Sequence, residues 1–221
     1  MPRKLKPLTK KLKILELPEL VSRFLYEQAN PDSLVPANLI PIEELPQFMG
    51  KVLVYPSAIS VFCAPSNMSG TRNMRCERIR SISSWRNGPE RHDCVYVIQD
   101  ENLPGFRGLL VAQVHAFIRI KPKHIRRSQR SYPCAVVSWF KTVGDMPCPN
   151  TGMWIIQREL ERGKELKSII HIDTILRGAH LIGIAADSFI PGDLEHTDSL
   201  NAFKTFFVNK YINYHAHEMA F

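Results

Sequence analysis

The sequence has no run of roughly 18 or more apolar residues, so no segment is long enough to cross a bilayer as a helix. Its first residues, MPRKLKPLTKKLKILEL, lack the apolar stretch and small-residue cleavage site of a secretory signal. No two of the five cysteines (Cys63, Cys76, Cys94, Cys134, Cys148) form a C-x-x-C pair. That removes the closely spaced thiolates of a zinc finger or ribbon. An odd cysteine count without such pairs suits a reducing compartment, the cytosol or the nucleus. Cys94 and Cys134 border apolar runs and are expected as small buried hydrophobes. There is no G-x-G-x-x-G, P-loop, G-x-S-x-G or H-E-x-x-H. No internal repeat occurs, and aromatics do not interleave with the arginines of the basic segments 72–91 and 119–130 except where Trp85 stands beside Arg86, so no stacking platform for single strands is indicated.

What is present is an ordinary globular composition, 44% apolar and 23% charged over 221 residues, enough to bury a core. Sixteen prolines exceed the usual ~5% and argue against an all-helical bundle. The net charge of +8 is unevenly placed. Residues 1–13 carry +6, residues 72–91 carry +4 and residues 119–130 carry +6, which leaves −8 for the remainder. Such asymmetry points to contact with a polyanion, and the planar guanidinium that dominates two of the segments suits phosphate. The plain alternative is a set of solvated basic loops that keep the protein soluble.

Residues 1–13 read as a basic tail, and residues 14–28 as a short helix with Leu17, Leu20, Val21, Phe24 and Leu25 at helical spacing. The four prolines of residues 30–50 predict an extended connector laid on a surface. Strands are expected at 52–55, 94–98, 109–120, 132–140, 153–157 and 168–172, the last two forming a hairpin with a long connection. Residues 57–63 fit a strand or a helical turn, and Pro65 to Gly70 are turn residues. The stretch 173–184 is irregular, with Gly178 and Gly183 as punctuation. A final helix is expected from Asp198 to Tyr211, presenting Phe203, Phe206 and Phe207 to the core. Trp139 and Trp154 lie in apolar runs and should be buried. The resulting class is α+β and β-rich: a single barrel-like or rolled, mostly antiparallel sheet with a short N-terminal helix and a C-terminal helix. Residues 1–50 would be tail, helix and connector, and residues 51–221 one β-rich domain.

Candidate chemistry is sparse. His215-Ala216-His217-Glu218 is the densest polar cluster; on a strand its histidines would share a face, on a helix they would diverge. Asp93, Asp100, Asp145 and Asp173 sit at strand ends or loops, but a two-metal nuclease core also needs parallel strands with crossover helices, and that pattern is missing.

Four phrases nevertheless stand out together: APSNMSGTRNMRCERIRS, YPCAVVSWFKTVGDMPCPNTGMW, IIHIDTILRGAHLIGI and DSLNAFKTFFVNKYINYHAHEMAF. Over about residues 45–221 the chain resembles the C-terminal region of proteins that accompany Plavaka-type DNA transposons of mushroom-forming fungi. That family's transposase core lies upstream of such a region, so the resemblance implies no catalytic residue here. A weaker likeness, at fold level only, is to bromo-adjacent homology domains, β-rich chromatin modules.

The expectation is a noncatalytic, transposon-derived module of the nucleus that associates with nucleic acid or a chromatin protein through its basic segments. No cofactor, metal or membrane is expected, and no small-molecule substrate is identified. The residues expected to meet phosphate, without reading bases, are Arg72, Arg75, Arg78, Arg80, Arg126, Arg127 and Arg130. The alternative is a protein–protein interaction module with no direct nucleic-acid contact.

Overall fold

The computed structural model describes residues 5–64, 73–122, 131–185, 192–195 and 198–219. The fold is the expected class, α+β and β-rich, with a barrel-like antiparallel sheet, a short N-terminal helix and a C-terminal helix. The main sheet runs β12-β5-β6-β7-β8-β14-β13, with β1 added on β6 and β11 on β7. Its strands are β1 (Gly50–Tyr55), β5 (Cys94–Ile98), β6 (Leu109–Pro122), β7 (Tyr132–Thr142), β8 (Ile155–Arg158), β11 (Lys167–His171), β12 (Ile175–Ala179), β13 (Leu181–Ile184) and β14 (Thr205–Val208). A second sheet joins β2 (Ser57–Cys63), β3 (Met74–Ile82) and β4 (Arg91–His92), and a small ribbon joins β9 (Leu160–Glu161) and β10 (Lys164–Glu165).

The chain divides into two compact units. Unit 1 comprises Met1–Pro56, His115–Val137 and Lys167–Ile172; unit 2 comprises Ser57–Val114, Ser138–Leu166 and Asp173–Phe221. Unit 1 is built on two helices, α1 (Leu5–Leu12) and α2 (Leu17–Ala29). The basic tail expected at 1–13 is therefore helical from Leu5. Leu5, Leu8 and Leu12 recur at i, i+3 and i+7, and Leu8 is buried against Leu17, Val21 and Phe24. Pro18 sits in the first turn of α2, where its missing N–H costs nothing. Val52, Ile118, Ile120 and Val136 complete this core from β1, β6 and β7. The proline-rich connector is pinned by Arg23, which Glu19 orients at 2.7 Å and which donates to the carbonyls of Ala37 and Ile40.

Unit 2 has its own core, with Tyr96, Phe106, Val111, Phe140, Trp154, Ile156, Phe206 and Val208. Trp154 is buried and stacks on Phe106 at 5.3 Å, as its apolar run predicts. Trp139 is only half-buried, although Ala135 and Val137 on the same face of β7 are buried. Cys94 and Cys134 are buried, and burial pushes the Cys94 thiol up to about 12.

Several expectations are corrected here. The helix expected over 198–211 is one short turn, α3 (Ser199–Ala202), followed by β14, which pairs with both β8 and β13. Strand pairing on both sides outweighs the helical spacing of the aromatics, and Phe206 and Phe207 then point to opposite faces. The C-terminal helix is instead α4 (Tyr214–Met219). The strand expected at 168–172 does not pair with that at 153–157: β8 pairs with β7 and β14, while β11 pairs with β7. The stretch 173–184 is ordered as β12 and β13. Gly183 lies there because a Cβ would stand 2.1 Å from the Phe203 ring.

Candidate nucleic-acid interface

The two units differ sharply in charge. The residues of unit 1 include 15 Lys/Arg against 6 Asp/Glu, a surplus of +9; those of unit 2 include 14 against 15, a balance of −1. Two of the three basic segments, residues 1–13 and 119–130, fall in unit 1.

Within unit 1, the β1–β6 register sets one basic face. Lys51 stands opposite Lys121, Leu53 opposite Arg119 and Tyr55 opposite Phe117. Val52, Ile118 and Ile120 point the other way into the core. Lys51, Arg119 and Lys121 therefore share the outer face and are exposed. The Arg119 guanidinium lies over the Tyr55 ring at 5.6 Å. No ion pair among the described residues neutralises these three cations. Like charges placed directly opposite on a sheet repel, so the pairing of Lys51 with Lys121 stores a repulsion that a bound anion would relieve. Lys10, Lys11 and Lys13 add exposed charge at the end of α1.

Of the arginines expected to meet phosphate, Arg75, Arg78 and Arg80 are described and lie in unit 2; Arg72, Arg126, Arg127 and Arg130 lie outside the described residues. The structure does not gather the first three. Arg78 and Arg80 share one face of β3, while Arg75 shares the other with Glu77, Ile79 and Ser81. Arg78 donates to Ser57 Oγ at 3.0 Å. Arg80 turns onto Trp85, its guanidinium carbon 4.6 Å from the ring centre, and Arg86 and Arg91 approach the same ring at 5.4 and 5.5 Å. The adjacency of Trp85 and Arg86 was the only sequence signal for this cluster, and the register of β3 on β4 supplies the other two arginines.

A second polar cluster is buried in unit 2. Arg177 is only 5% exposed. It meets Glu77 at 3.4 Å, donates to Asn213 Oδ1 and to His215 Nδ1 at 3.0 Å, and lies over Phe62, which itself stacks on His215. Because Nδ1 accepts, the His215 proton sits on Nε2. Burial and the Arg177 charge hold His215 below its ordinary pKa. Burial also raises the Tyr96 phenol to about 12, with Arg177 opposing and Glu77 adding to the shift. The cluster locks β3, β12 and α4 together; Glu77 also accepts the Gly178 backbone N–H at 3.1 Å. His217, on the same helix, approaches the Tyr211 ring instead, so the two histidines diverge as a helix requires.

Ser81 Oγ and His92 Nδ1 are 3.0 Å apart, with Glu90 3.9 Å from Nε2, an arrangement with the outline of a nucleophile and base. The same Nδ1 lies 3.1 Å from the Val114 carbonyl, which only accepts. Nδ1 therefore carries its proton and has no lone pair to take one from Ser81. Asp93 is committed to Arg91 Nε at 2.7 Å and to the Arg80 backbone N–H at 2.8 Å. Among the described residues no group of three or more metal-ligating side chains converges.

Compared with protein-family models, curated proteins and solved structures, the chain finds no match.

Proposed function

We propose that the protein is a noncatalytic module that associates with nucleic acid through phosphate contacts, in the setting its sequence resemblance suggests: a transposon-derived protein working in the nucleus on DNA or chromatin. The observation that carries this reading is the concentration of the whole net charge in unit 1, +9 against −1 in unit 2. The Lys51, Arg119 and Lys121 face supports it, because three cations with no carboxylate partner among the described residues fit a row of phosphates. Phosphate contacts position a protein without reading sequence, so the affinity is nonspecific, on the order of 10⁻⁴–10⁻⁶ M at physiological salt. The test is anisotropy of labelled duplexes of unrelated sequence. Equal affinities that fall steeply with salt support the reading, and a salt-independent or absent signal removes it.

One observation favours the alternative, a protein–protein interaction module. Ile59, Val61 and Met74 are exposed on one face of the β2–β3 sheet, beside the free thiols of Cys63 and Cys76. A partner bound there would be held with little dependence on salt.

A further inference from the structure

We propose that Trp85 and its three arginines form a binding site for a phosphate group in unit 2. This inference stands independently of the basic face in unit 1. Three guanidinium carbons lie within 5.5 Å of one indole ring centre, contributed by Arg80, Arg86 and Arg91. Asp93 offsets one charge by bonding Arg91, and Glu90 faces His92, so the cluster keeps a surplus of two positive charges over Asp93. Arg86 makes no hydrogen bond or ion pair among the described residues. Among the described residues the Arg80 side chain spends only Nη1, on the Arg78 carbonyl at 3.3 Å, and its buried Nε meets no acceptor.

The backbone supplies a second, independent reason. Gly88 N–H donates to the Trp85 carbonyl at 2.8 Å, and the two residues between them, Arg86 and Asn87, have φ of 52° and 64°. This is a type I′ turn, whose first central position favours Asn, Asp or Gly. The turn is braced by Trp85 N–H on the Pro89 carbonyl and by Ser84 Oγ on the Gly88 carbonyl. An arginine is thus held in a left-handed conformation that glycine would adopt without strain. The strain yields a third cation beside the indole, and like charges kept together at a cost fit an anion that binds among them. A guanidinium fork matches the oxygens of phosphate, and the indole holds the stems of the forks in place.

The test follows tryptophan fluorescence during titration with inorganic pyrophosphate at constant ionic strength, chloride replacing the anion in the control. The expected result is a saturable change lost in Trp85→Phe. Arg86→Gly should weaken binding about tenfold or more, as expected for removing one charge-assisted hydrogen bond, while its melting temperature rises. Arg86→Lys, which keeps the charge and the strain, should weaken binding without that rise. A short duplex that displaces pyrophosphate identifies a nucleic-acid backbone as the source of the phosphate, and failure to displace identifies a free phosphoryl ligand. No saturable change beyond the chloride control, or unaltered binding by Arg86→Gly, overturns the proposal.

Discussion

Replacing Glu77 with Ala tests the buried cluster that ties β3, β12 and α4 within unit 2. Among the described residues the Glu77 carboxylate is the one anion on Arg177, 3.4 Å from its Nε, and it also accepts the Gly178 N–H. Arg177 keeps Asn213 and His215 after the change, but neither carries negative charge. Removing one partner of a buried pair typically costs about 3–5 kcal/mol, because a charge is left without compensation. The Glu77 side chain is 37% exposed, so water screens part of the interaction. The expected loss is therefore lower, about 2–3 kcal/mol. At about 2–4 °C per kcal/mol for a chain of this size, that is a fall of about 4–12 °C in melting temperature. Urea unfolding at 25 °C, followed by circular dichroism, reads the difference directly. The double variant Glu77→Ala with Arg177→Met removes the stranded charge and should recover about 1 kcal/mol or more. A Glu77→Ala variant within about 0.5 kcal/mol of the parent, or a double variant no more stable than the single one, refutes the reasoning.

Three further outcomes follow from the same structure. His215 has a lowered pKa in the folded state, so the unfolded chain binds more protons as pH falls below the ordinary value of 6.5. Its contribution to stability is present above that pH and declines below it, and the loss between neutral and acidic pH should shrink in His215→Gln, measured by denaturation at both. Phe206→Ala, at a fully buried strand position, should cost about 3–4 kcal/mol in urea unfolding, and Phe207→Ala, on the other face of β14, clearly less. Gly183→Ala should destabilise by about 1–3 kcal/mol by pressing on the Phe203 ring, and Phe203→Leu in the same chain should relieve part of it, both read as melting temperatures.

The long strands were legible because their apolar residues run without interruption: residues 109–120 and 132–140 read as strands and are the cores of β6 and β7. Strand β3 was hidden by its own chemistry. Its outward positions hold Arg78 and Arg80, and its inward ones hold Glu77, Ile79 and Ser81, so the period of two carries little hydrophobic contrast. Gly178 and Gly183 looked like breaks, yet each marks a close approach inside a strand, by the Glu77 carboxylate and the Phe203 ring. Thr205–Val208 satisfied a helical spacing and a strand alternation at once, and only pairing with β8 and β13 decides between them. The site followed the same logic. The basic segments were visible by counting, but a count assigns no face. Lys51 is an isolated lysine in the sequence and joins Arg119 and Lys121 only through the β1–β6 register. Arg75 was grouped with Arg78 and Arg80 by proximity along the chain, and strand parity separates it from them.

In the proposed function, unit 1 meets phosphate through the face formed by Lys51, Arg119 and Lys121. The most direct measurement is the salt dependence of duplex binding by the parent and by the triple variant Lys51→Ala, Arg119→Ala, Lys121→Ala. Removing one cation that neutralises a phosphate should flatten the slope of log affinity against log salt by about one, so the triple variant should lose nearly three units while binding unrelated duplexes equally weakly. The three side chains are exposed and the Lys51–Lys121 repulsion is removed with them, so its melting temperature should be no lower than the parent's. A triple variant that folds and keeps the parent's slope contradicts the account.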